Sequence, residues 1–78
     1  MSRPAAIDIV RPRRTLRPGT RIEAVQVGKD RRLYRADPGV PPGTGGEVRY
    51  VDITGTTHVI WDDGKGGIVL PEEAIRIL

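Results

Sequence analysis

His58-Val59-Ile60-Trp61-Asp62-Asp63-Gly64 is the stretch whose reading decides the fold. Val59 and Trp61 alternate with His58 and Ile60, the period of a strand with one face in a core. Asp63-Gly64 follows at once. It signals a two-residue hairpin turn, because a type I′ turn needs positive φ at both centres. The chain therefore reverses into a second strand over residues 67–70. Just upstream, Pro42-Gly43-Thr44-Gly45-Gly46-Glu47-Val48 reads as a glycine turn or bulge feeding a strand over residues 47–52. Ile53-Thr54-Gly55-Thr56 turns that strand into the one over residues 57–62.

Working outward, Pro18-Gly19-Thr20 is a turn that opens a first strand over residues 21–27. Ile22 and Ala24 share one of its faces, Val25 and Val27 the other, so this strand must bend or change partner. Residues 28–44 form a long connection with a charged middle at 29–35 and turn formers at Asp37-Pro38-Gly39 and Pro41-Pro42-Gly43. Pro71-Glu72-Glu73-Ala74 reads as a single 3₁₀ turn, and residues 75–78 as a closing strand. The expected fold is all-β: a small SH3-like five-stranded barrel at residues 19–78. Its core is expected to hold Val48, Val59, Trp61, Ile68, Leu70 and Ile77. Residues 1–18 form a basic N-terminal arm in which Pro4, Pro12 and Pro18 deny a continuous helix. The arm is expected to be partly disordered, over residues 1–6. Its apolar spot, Ile7, Ile9 and Val10, is suited to docking as a short extended segment on the barrel edge.

Residues 17–78 resemble a bacterial SH3-like domain family of unknown function, found mostly in small hypothetical and mobile-element-associated proteins. The resemblance begins at Pro18-Gly19-Thr20-Arg21-Ile22, continues through Asp37-Pro38 and residues 42–48, then Val51-Asp52. It ends with residues 58–64 and Leu70-Pro71. Residues 29–35 depart from it as an insertion in the first long loop. The resemblance implies a fold and supplies no catalytic residues. The Val59–Gly64 hairpin alone is also similar to Tudor-type and ubiquitin-ligase-associated barrels.

The chain has 78 residues and no cysteine, enough for one domain with a small core and no disulfide framework. Apolar runs such as Ile68-Val69-Leu70 fall far short of the roughly 18 residues a membrane helix needs. A cytoplasmic protein without a membrane partner is expected. The net charge of +3 conceals a split. Residues 1–35 carry ten basic and three acidic side chains; residues 36–78 carry three basic and seven acidic ones. This is a basic arm and loop on an acidic module.

Candidate chemistry is sparse. Trp61 reads as a core anchor, with a ligand-stacking platform as the sharper alternative. Tyr34 and Tyr50 are the other aromatics, too few and too scattered for a methyl-lysine cage. His58, the sole histidine, reads as a solvated strand residue, because no cysteine is present and the only serine is Ser2. Asp52, Asp62 and Asp63 are explained by turn chemistry, so no metal is expected. Gly43-Thr44-Gly45-Gly46 lacks the Lys-Ser/Thr pair and the helix of a phosphate loop. No enzyme activity, cofactor or small-molecule substrate is expected. What remains is the arginine set: Arg11, Arg13, Arg14 and Arg17 in the arm, Arg31, Arg32 and Arg35 in the loop. Arginine forks bind phosphates bidentately, so these seven are the candidate nucleic-acid contacts. The alternative is a protein partner taken by the barrel groove or an open sheet edge.

Overall fold

The computed structural model describes residues 9–10, 16–28 and 37–78. They form one antiparallel sheet of β1 (Ile9–Val10), β2 (Arg21–Gln26), β3 (Gly45–Val51), β4 (Thr57–Trp61), β5 (Gly66–Val69) and β6 (Ala74–Ile77). The strand order is β1-β6-β2-β3-β4-β5. β4 sets the inside and outside of the sheet. Thr57, Val59 and Trp61 are buried, and His58 and Ile60 are half-buried on the other face. Ile22, Ala24, Val27, Val48, Val69, Leu70 and Ile75 join Val59 and Trp61 in the core. β2 makes the bend its two apolar faces call for. Its register against β6 slips between Ala24 and Gln26, which carries Val27 to the inner side.

Ile68 and Ile77 are not core residues. The Ile68 error begins at the turn. Gly64 N donates to Trp61 O at 2.8 Å and Trp61 N to Lys65 O at 2.9 Å, so the loop is Asp62-Asp63-Gly64. This is the three-residue hairpin that ends on a residue with positive φ, and Gly64 has φ 88°. The extra loop residue sets Ile68 opposite His58 and Val69 opposite Thr57. A shift of one residue exchanges the faces, so Val69 enters the core and Ile68 lies outward. Ile77 opposes Ile22 at the rim of the sheet and stays 40% exposed, while Ile75 is fully buried opposite Ala24.

The glycine pair at 45–46 belongs to β3, not to a turn; the turn is Pro41–Thr44, closed by Thr44 N on Pro41 O. Gly46 is there because of Trp61. A Cβ at Gly46 would lie 2.6 Å from the indole Cε3, and one at Gly67 would lie 2.5 Å from Nε1. The indole thus lies across the backbones of both strands that flank β4.

A closed barrel is not formed: β5 pairs only with β4 among the described residues. Two carboxylates take up the outward amides of the β5 edge instead. Ile68 N donates to Asp37 Oδ2 (2.9 Å) and Leu70 N to Glu73 Oε1 (2.8 Å). The other oxygens of the same groups hold the long loop, through Gly39 N on Asp37 Oδ1 and Gly28 N on Glu73 Oε2. Side chains therefore bridge the gap that a backbone ladder would close. Glu73, 5% exposed, needs these bonds to remain inside. The expected turn after β5 is a single one, closed by the i→i+3 bond from Glu73 N to Leu70 O, and Ala74 already belongs to β6.

Candidate nucleic-acid interface

Of the seven candidate arginines, Arg17 is described and exposed. Arg11, Arg13, Arg14, Arg31, Arg32 and Arg35 lie outside the described residues, as does the span 1–6 expected to be disordered. The roots of their segments are described. Val10 opposes Ile75 on β6, antiparallel, so the chain leaves β1 towards the Ala74 end. Gln26 opposes Ala74 as β2 ends, and Gly28 N is held by Glu73. Both basic segments therefore depart from the same end of β6. The loop's neck is pinched where Val27 and Val40 bridge. There a Cβ on Gly28 would lie 2.1 Å from Pro38 O, and one on Gly39 2.3 Å from Val27 O. Only glycine lets these two backbones touch, and both have positive φ.

The arm also meets the sheet at its other end. Leu16 packs against the core. Arg17-Pro18-Gly19-Thr20 closes as a turn through Thr20 N on Arg17 O, and Gly19 N donates to Val48 O at 2.7 Å. Gly19 and Thr20 therefore lie against Val48, and the turn bends the chain away from β3 at Arg17.

The described cations divide into two sets. Arg21 grips both oxygens of Asp62 at 2.9 Å, and Arg76 pairs with Glu23 at 2.6 Å. The bond to Asp62 raises the Arg21 pKa, and the same bond from Arg21 lowers that of Asp62. Arg17, Arg49 and Lys65 have no carboxylate partner among the described residues. Arg49 lines a cavity of about 410 Å³ together with Arg21, Glu47, Ile60 and Asp62.

Sequence reasoning passed over Arg49 and weighed Tyr50 only as a member of an aromatic cage. The β3–β4 register slips between Val48 and Tyr50, so that both Arg49 and Tyr50 lie against the position of His58. The bulge leaves Arg49 and Tyr50 both exposed, which strict alternation forbids. Tyr50, 50% exposed, stacks on His58 with ring centroids 4.3 Å apart and planes 9° from parallel. His58 Nε2 lies 2.8 Å from Asp52 Oδ2. A carboxylate only accepts, so this ring nitrogen carries the proton. Asp52 Oδ1 accepts the Thr54 hydroxyl and the amides of Thr54 and Thr56. The Thr54 hydroxyl first, and His58 second, hold the Asp52 carboxyl well below the usual carboxylate range. The only sequence signal was Val-Arg-Tyr-Val, whose polar-apolar order does not announce a bulge.

Trp61 is 3% exposed, which makes it the core anchor and removes it as an open platform. Asp62 serves Arg21, Asp63 Oδ1 accepts Lys65 N, and Asp52 serves its own loop. The three carboxylates do not meet at one point.

The class these observations define is a small all-β domain, a single antiparallel sheet curved over one core. The chain belongs to the family described as Domain of unknown function (DUF4314), whose model matches residues 6–78. That match begins upstream of residue 17, where the sequence resemblance starts, and takes in β1. No curated protein and no solved structure matches the chain.

Proposed function

We propose that this chain is a non-enzymatic binding module that associates with nucleic acid through Arg11, Arg13, Arg14, Arg17, Arg31, Arg32 and Arg35. The observation that carries the reading is the common root of the two basic segments at the Ala74 end of β6. Charge supports it. The described sheet spends Arg21 and Arg76 on internal pairs, while the segments at 11–15 and 29–36 hold six of the seven arginines. Segments of like charge rooted together suit a phosphate backbone. The finer fold reading, an SH3-like barrel, rests on strand succession, the long first connection and the carboxylate bridges at the β5 edge.

The test is a set of neutral replacements, Arg→Gln at 11, 13 and 14 and separately at 31, 32 and 35. Truncation at residue 18 is the poorer experiment, because it removes the β1–β6 pairing and Leu16. Each set should weaken DNA binding by at least ten-fold at low salt without lowering the melting temperature. Unchanged affinity in both sets would leave a protein partner as the better reading.

A further inference from the structure

The outer face of β3 and β4 carries an aromatic stack with the exposed Arg49 beside it. Tyr50 lies flat on His58, His58 is fixed by Asp52, and Asp52 is fixed by three donors of its own loop. The tyrosine ring is therefore backed on one side, and half of the residue remains open. Arg49 precedes it in the bulge. Arg49 is exposed and has no carboxylate within ion-pair distance among the described residues. Of the nearby carboxylates, Asp52 is engaged with its loop and His58 and Asp62 with Arg21, while Glu47 lines the same cavity as Arg49 on the side away from Tyr50 in the strand order.

We propose that Tyr50 is a stacking platform for an unpaired base of single-stranded nucleic acid, with Arg49 on the adjoining phosphate. This inference rests on the nucleic-acid reading and names its substrate class. An aromatic face accepts any base, because every base has a π-face, and an arginine flanking it holds the backbone. A ring already immobilised by stacking loses little freedom when the base arrives. In a duplex the bases already stack on one another and cannot reach the ring. The platform therefore selects single strands, while the arm and loop hold phosphates of either form.

The test compares an oligothymidylate with a duplex of the same length by fluorescence anisotropy at low salt, using the full chain. Tyr50→Ala should weaken binding of the single strand on the order of ten-fold and leave the duplex unchanged. Tyr50→Phe should keep both affinities. Tyr50→Trp should keep single-strand binding and gain an exposed indole whose emission is quenched by the oligonucleotide, since Trp61 is buried. Thermal melts of each variant check the fold. Wild-type-like single-strand binding by a folded Tyr50→Ala, or an unquenched Tyr50→Trp, overturns the platform while the arm and loop reading stands. A wild-type chain that binds neither strand at tens of micromolar overturns both.

Discussion

Trp61 concentrates the stability of this domain at one side chain. Its indole fills the space left by the missing side chains of Gly46 and Gly67, so three residues share one packing solution. Trp61→Ala should cost about 3–5 kcal/mol, a large part of what a domain of this size has. Gly46→Ala forces a Cβ onto the ring and should cost about 1–3 kcal/mol by overpacking. Urea unfolding checks both; a Gly46→Ala protein as stable as wild type would show that the indole has room to move. Thr57 is the converse case. It is fully buried, and its hydroxyl has no hydrogen-bond partner among the described residues. Thr57→Val removes that unpaired hydroxyl and should raise stability by about 1 kcal/mol. Asp52 makes the acid response specific. Its folded pKa lies below its unfolded one, so its contribution is present above about pH 4 and is lost as pH falls through the folded value. Asp52→Asn should be less stable at pH 7 and show a shallower loss of stability below about pH 4, measured by melting temperature against pH.

The hairpins carry the register, and they explain which parts of the fold were legible in the sequence. Alternation in β4 and the glycine turns gave strand positions, the inward Trp61 and the bend in β2. Positive φ at Gly64 was also legible, since Asp-Gly permits little else. The loop length was not: Asp63-Gly64 suits a two-residue turn and a three-residue one equally, and the difference exchanges Ile68 for Val69 in the core. That the sheet stays open at β5 was not legible either, because it depends on where two carboxylates, Asp37 and Glu73, meet backbone amides far along the chain. The Tyr50 platform was hidden for the same kind of reason, in a bulge that sequence periodicity does not encode. Gly64→Val should therefore destabilise by about 1–2 kcal/mol or more, since a β-branched side chain resists positive φ, whereas Asp63→Asn should be mild. Gly39→Ala should be worse than Gly64→Ala. Both have positive φ, but a Cβ at Gly39 also meets the backbone of Val27 and Gly28, while Gly64 has open space around it. Thermal melts of the two alanine variants give that order directly.

Over the whole molecule, charge is separated from fold. The sheet pairs Arg21 and Arg76 internally, and six of the seven candidate phosphate contacts belong to two segments that leave the described residues at one end of β6, with Arg17 in the turn before β2. Such an arrangement gives affinity without base sequence preference, because phosphates carry no sequence and nothing in the described residues enters a groove as a reading helix. The measurement that tests this most directly is the salt dependence of DNA binding by the full chain. If about five of the seven arginines each neutralise one phosphate, log K falls against log salt with a slope near −4 to −5. Raising salt from about 50 to about 200 mM then weakens duplex binding by a factor on the order of 500. Binding that persists with a slope near zero, or no binding at about 50 mM salt with tens of micromolar protein, contradicts the account.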